Sequence, residues 1–442
     1  MQAHGLGPAM GRRVLLSGAL GLVGMSVLAS CTAQGASSDS AAVDEDGVAK
    51  VDFWGWVPGL EDMVATWNSA NADVQVSFHR MTGDDGAKVK AAVDAGAGPD
   101  LVQLSSHDLP EYVIAGRVQD ISEYTEGVAE KFTESSWSQV RFNDGVYGVP
   151  QGIGPAGMMY REDLFAQYGI EVPETWDDYV AAARTLHAAN PEVYIAGFSP
   201  TEIGQWMQEV WQAEGSWFGI DGDQWIVSVN SPESKLVAER WQLLLDEGLV
   251  KVTQMWTPDY WADIAAGRIA TVSYAAWFPN LLAENVGDTA GKWKIAPLPV
   301  NAGSTAAGES GGAAVVALKG AKNLEASARF AVWLNSADEN QDTLITVGGL
   351  FPSTVVGLAS PALEQPQPFF GGQVTSEVFV EAAKNTPSTW VDGPAFSSVQ
   401  TGITDGFSLV ATGSTTFVEV LDEVQADTIA TMESSGLNVK GA

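Results

Sequence analysis

"VYGVPQGIGPAGMMY", residues 146–160, decides how the rest of the chain is read. A strand-like run enters a crossing rich in glycine and proline, and strand character resumes at Met158, Met159 and Tyr160. Such a stretch suits a hinge between two domains better than a turn within one. Gly152, Gly154 and Gly157 also match G-x-G-x-x-G, but a dinucleotide fingerprint must open a helix whose amides meet a pyrophosphate. Here "GMMY" continues as strand, so the match is set aside.

Upstream of the crossing, short apolar runs alternate with helical patterns: "KVDFWGW", "LEDMVATWNSAN", "VQVSFHR", "GAKVKAAVDAG", "DLVQLS" and "LPEYVIAG". This βαβαβα order predicts a mostly parallel sheet with right-handed crossovers. Downstream, Thr175 and Asp178 form a capping-box pattern ahead of a helix, followed by "YIAGFS", "IATVSY", the helix "NLEASARFAVWLN" and a mainly helical C-terminal third. At 442 residues, 45 % hydrophobic and 17 % charged, the chain is long enough for two cores. The expected architecture is α/β with two lobes: 49–152 and 322–372 in the first, 153–321 and 373–442 in the second.

Ahead of the fold, Arg12 and Arg13 precede an apolar run of small residues that ends at Cys31, the chain's single cysteine. A basic segment followed by a short apolar one reads as an export signal, and Leu28, Ala29, Ser30 and Cys31 fit a bacterial lipobox. Residues 1–30 are therefore expected to be removed, Cys31 to be acylated, and 31–48 to form a flexible tether. The protein would be exported and held at the outer face of the cytoplasmic membrane by lipid alone. Removing the signal takes two arginines and no acid, which leaves a net charge of about −35. Nucleic-acid backbones and anionic lipid surfaces would repel it.

Enzyme motifs do not survive their structural requirements. "GESGG", residues 308–312, matches G-x-S-x-G, yet that serine needs a strand before it and a helix after it. Here a loop precedes the strand-like "AAVVAL". The last histidine, His187, also precedes Ser310, against the chain order of such hydrolases. No H-E-x-x-H or Walker lysine is present, and no metal or cofactor is expected.

The 16 tryptophans are the remaining signal. Trp67, Trp241 and Trp333 continue helical apolar stripes and read as core. Trp54 lies within the first strand and reads as core; Trp56 follows Gly55, past the strand end, where ligands of parallel sheets sit. Trp256 precedes Thr257 and Pro258 and either staples against Trp261 or lines a site. Trp206, about 100° off the apolar stripe of its helix and one turn from Glu202, reads as a site wall with that carboxylate. Trp277, after "IATVSY", and Trp390, in "STWVDGP", are loop aromatics suited to ligand contact. Rings among Asp, Glu, Asn and Gln suit sugars, which offer flat C–H faces and a rim of hydroxyls.

In this order, "VDFWGW", "GPDLVQLSSHDLPEYVIAGRVQDIS", the stretch from Tyr147 to Tyr179, "GRIATVSYAAWFPN" and "GGAAVVALKGAKNLEASARFAVWLNS" resemble the extracellular solute-binding proteins of ABC transporters. The likeness is to the carbohydrate-binding branch that includes the maltose-binding type, and covers nearly all of residues 49–442. The resemblance implies two lobes joined by hinge strands, a mono- or oligosaccharide in the cleft, and presentation to membrane permease subunits by a monomer. It carries Trp56, Ser105, His107, Asp108, Gln151 and Trp277 into the ligand site. With Gln103, Glu202, Trp206, Trp256, Glu309 and Trp390 these form the expected set. An extracellular carbohydrate-active hydrolase and a receptor for a non-sugar solute remain the alternatives.

Overall fold

The computed structural model describes residues 47–82, 85–142 and 144–442. The expected export signal, Cys31 and most of the expected tether lie outside these residues. The first lobe is built on a five-stranded sheet in the order Val74–Arg80, Ala49–Gly55, Leu101–Ser105, Ala313–Ala317, Val149–Gly152. The first three strands are parallel, while Ala313–Ala317 runs antiparallel to both its neighbours. Alternation along the first strand turns Val51 and Phe53 inward, where Phe53 meets Phe330 of the helix Leu324–Ser336 at 5.6 Å. Trp67 packs on the same Phe330 ring at 5.4 Å, as its helical stripe requires.

Trp54 departs from the reading as core. It points to the other face of the sheet with Lys50 and Asp52, is half-buried, and rests on His79 at 4.8 Å while its Nε1 donates to Asp52 at 3.1 Å. A parallel sheet was expected to be covered on both faces; at this strand the second cover is thin.

The second lobe has a three-stranded antiparallel sheet in the order Thr271–Ala275, Ala156–Arg161, Trp293–Pro297. Helices surround it, among them Trp176–Ala189, opened by the Thr175–Asp178 capping box, and the pair Phe396–Val410 and Phe417–Ser434. Its interior divides into a large cluster around Trp217, Phe407 and Phe417 and a smaller one around Trp293, Phe278 and Ile264.

Two stretches that mimic enzyme motifs meet between the lobes. Within "GIGPAG" and "GESGG", Pro155 bridges Glu309, Ser310 N donates to Gly154 O at 2.8 Å, and Ala156 N donates to Gly308 O at 2.9 Å. A third connection joins them, with Ile153 N donating to Phe351 O at 3.0 Å. Glycine is required at position 154 because a Cβ there would lie 2.0 Å from Ser310 O.

This pairing corrects the expected lobe boundaries. Strand Ala313–Ala317 belongs to the first sheet, and Ala314–Leu318 lie in its core, although 153–321 was assigned to the second lobe. Phe351 and Phe370, assigned to the first lobe, pack with Trp293 in the second. "AAVVA" is buried on both faces, so its composition carries no mark of which sheet it joins.

Candidate functional site

The loop after the first strand holds Trp56 outward. Gly55 ends the strand, and Gln103 Oε1 accepts from Trp56 N at 2.8 Å and Val57 N at 3.3 Å. Arg80 donates to Trp56 O at 2.7 Å and pairs with Glu61. The Trp56 side chain is left exposed and meets no other aromatic ring among the described residues. Gln103 thus serves as a buried bracket for this loop, with only its Nε2 lacking a protein partner.

On the second lobe, an aromatic cluster gathers at the end of strand Thr271–Ala275. Trp256 lies in the loop before the helix Pro258–Ala265, Tyr274 in the strand, and Trp277 at the start of the helix Phe278–Asn285. Trp256 and Trp277 are 6.2 Å apart and inclined by only 25°, giving a stepped indole surface. Tyr274 meets Trp277 edge-on at 4.8 Å, and Trp261 stands edge-on to Trp256 at 6.2 Å. Trp256 contacts Trp261 as a staple would and remains 43 % exposed.

Its backbone is unusual. Trp256 has φ of +69°, a left-handed conformation costing a bulky residue on the order of 1–3 kcal/mol. Glu202 accepts from Trp256 Nε1 at 2.9 Å through Oε2, and from Tyr274 OH at 2.9 Å and Gly204 N at 2.8 Å through Oε1. Burial, followed by the charge of Glu202, pushes the Tyr274 phenol well above its usual pKa, so it remains a donor. Trp277 Nε1 donates to Ser310 O at 3.2 Å, tying this cluster to the crossing strand.

The crossing strand runs between this surface and a second concavity. A Cβ on Gly311 would lie 3.0 Å from Trp277 Nε1, whereas one on Gly312 would lie 3.1 Å from Ser106 Oγ and 3.5 Å from Gln139 Oε1. Gln139 lines a groove of about 430 Å³ with Phe142 on the first lobe and Trp225, Trp390 and Asp392 on the second. His107 Nδ1 lies 2.7 Å from Asp392 Oδ1, and Trp390 Nε1 donates to the same oxygen at 2.8 Å. Burial lowers the His107 pKa, but the charge and hydrogen bond of Asp392 more than offset it and the net shift is upward.

Glu309 is fully buried nearby. Its Oε1 accepts weakly from Gly154 N at 3.4 Å and Gln139 Nε2 at 3.5 Å, and its Oε2 has no protein partner. Desolvation pushes its carboxyl up to about 7, against the pull of these donors. Gln151 is buried with both amide atoms unpartnered, Ser105 is half-buried at its strand end, and Asp108 is exposed at the start of the next helix. Among the described residues, no group of three or more His, Cys, Asp or Glu is placed to hold a metal ion.

The expected residues therefore fall into separate places. Glu202, Trp256 and Trp277 come together on one side of the crossing strand, with Trp56 outward on the other lobe; His107 and Trp390 lie toward the groove. Trp206 is a correction: it is 3 % exposed and packed against Phe407 and Phe417 at 4.6 and 5.1 Å. The C-terminal helix pair covers the side of its helix that the stripe leaves open. Trp390 is also mostly buried, stacked on Trp211 at 5.4 Å. Tyr274, Asp392 and Gln139 stand beside these residues without belonging to the expected set, although Tyr274 is the penultimate residue of the strand before Trp277.

The bacterial extracellular solute-binding protein family matches residues 55–341. The arabinooligosaccharide-binding protein of Halalkalibacterium halodurans is 24 % identical over 362 residues, which cover 76 % of this chain and 79 % of that one. The galacto-N-biose-/lacto-N-biose I-binding protein of an ABC transporter from Bifidobacterium longum, solved with lacto-N-biose, is 30 % identical with a TM-score of 0.80. That match covers 90 % of this chain and all of the other. A binding protein from B. animalis subsp. lactis, solved with β-1,6-galactobiose, gives 26 % and 0.77 over 89 % of this chain and all of the other. With its two lobes, paired crossings and matched length, this chain belongs to the bacterial extracellular solute-binding proteins.

Proposed function

We propose that this protein captures a neutral sugar of two or more units between its lobes and delivers it to the membrane permease of an ABC importer. The observation that carries the reading is the stepped surface of Trp256 and Trp277, with an exposed indole held in place by the Glu202 carboxylate. Apolar C–H faces of a sugar suit such a surface, while its hydroxyls suit nearby carboxylates and amides. Trp56 would close on the sugar from the first lobe. The relatives that bind arabinooligosaccharides, lacto-N-biose and β-1,6-galactobiose support this ligand class.

Closure would rotate the lobes about the three paired crossings, because a hinge concentrates backbone change in few residues. On this reading the first lobe comprises about 49–152 and 313–350, and the second about 153–312 and 351–442. Cys31 would anchor the exported monomer by lipid, with no cofactor. The protein acts as a receptor and not a hydrolase.

The test is a panel of lactose, lacto-N-biose, β-1,6-galactobiose and arabinooligosaccharides, read by thermal shift and by the mass of the recovered sugar. A sugar at 100 times its Kd should stabilise the fold by about 2.7 kcal/mol and return with its mass unchanged. Stabilisation by a peptide or amino acid but by no sugar would overturn the ligand class. A cleaved sugar would overturn the receptor reading.

A further inference from the structure

Both oxygens of Glu202 are already hydrogen-bonded within the protein. Oε2 is engaged by the Trp256 indole, and Oε1 by the Tyr274 hydroxyl and the Gly204 amide. The carboxylate therefore links three elements of the second lobe: the turn into the helix Gly204–Gln212, the loop before Pro258, and the strand ending at Ala275. Its tightest surroundings are equally specific. A Cβ on Gly204 would lie 2.5 Å from the Tyr274 hydroxyl and 2.9 Å from both Glu202 Oε1 and Ser310 Oγ, so the site has no space for a side chain there.

The group that this carboxylate holds is the one least able to hold itself. Trp256 combines a left-handed backbone with a partly exposed side chain, and a side chain in a disfavoured conformation relaxes unless its surroundings over-determine it. Its ring contacts with Trp261, Tyr274, Trp277 and Phe278 fix its position within the cluster. The bond from Nε1 to Glu202 fixes the rotation of the indole, hence which face is presented beside Trp277.

We propose that Glu202 is a positioning residue for sugar binding: it holds Trp256 in its strained orientation before the ligand arrives and does not itself contact the sugar. This rests on the reading of the protein as a sugar receptor and deepens it. Affinity gains from this arrangement because the ordering of the indole is completed before binding.

The arrangement is tested by a double-mutant cycle and by fluorine NMR. Wild type, Glu202→Gln, Trp256→Ala and the double variant are titrated with whichever of lactose, lacto-N-biose and β-1,6-galactobiose gives the largest thermal shift. Glu202→Gln keeps the shape but turns an amide donor toward an indole or phenol donor, and should weaken binding about tenfold. In the Trp256→Ala background the same change should alter affinity less than about twofold, since the ring through which Glu202 acts is gone. An undiminished loss in that background would mean that Glu202 touches the sugar directly and would overturn the proposal. Protein labelled with 5-fluorotryptophan provides a readout that needs no sugar, with the Trp256 resonance assigned by Trp256→Phe. Glu202→Gln should shift and broaden that resonance while leaving those of the core tryptophans in place. An unchanged Trp256 resonance would overturn the proposal even if sugar binds. If no sugar binds the wild type, the receptor reading fails while the resonance still decides whether Glu202 holds the ring.

Discussion

Two tryptophans separated by one glycine have different neighbours, and their truncations should differ accordingly. Trp56 is exposed on a loop bracketed by Gln103, so Trp56→Ala should leave the melting temperature nearly unchanged and weaken sugar binding by about 2 kcal/mol or more. Trp54 is half-buried against His79, so Trp54→Ala should lower stability by about 1–2 kcal/mol, less than the 3–5 kcal/mol typical of a fully buried ring. Chemical denaturation and fluorescence titration of both variants check this; equal loss of stability would contradict the placement of Trp56. The position of Trp56 was legible because Gly55 and Pro58 mark the strand end. That of Trp206 was not. A helical stripe shows which side faces the nearest core, but here Met207 to Gln212 are buried too, and the second covering comes from helices some 200 residues later.

At the scale of elements, "GIGPAG" and "GESGG" are the strongest case of sequence meaning recovered by pairing. Each alone mimics a motif whose required context is missing, and together they form adjacent crossing strands that admit no side chain at Gly154. Gly154→Ala should destabilise by about 2 kcal/mol or more, because a Cβ directed into a backbone carbonyl cannot be relieved by a rotamer change. Urea unfolding at fixed pH measures it; a midpoint equal to wild type would mean that the crossings are looser than the structure has them. That residues 146–160 pass from one lobe to the other was readable locally. That Ala313–Ala317 returns to the first sheet was not, since strand partners are set by contacts between distant segments and not by composition.

For the whole molecule, the buried groups between the lobes set a pH dependence. Glu309 has its folded pKa raised to about 7 from an ordinary carboxyl value, so the stability it contributes is present below the unfolded pKa and lost as pH rises through about 7. His107 is also raised, so its contribution is present below the ordinary histidine value and is lost as pH rises through the folded one. Both act in one direction, and stability should fall between pH 5 and pH 8, by roughly 3 kcal/mol from Glu309. Glu309→Gln should flatten that slope in urea midpoints taken at both pH values; an unchanged slope would place its origin elsewhere. If sugar binds on the Trp256–Trp277 surface, titration calorimetry on Trp277→Ala beside wild type will show it. Wild type should bind a disaccharide or longer sugar one-to-one, and the variant should lose about 2 kcal/mol or more of binding energy. Wild-type affinity in Trp277→Ala, with the fold intact, would contradict it.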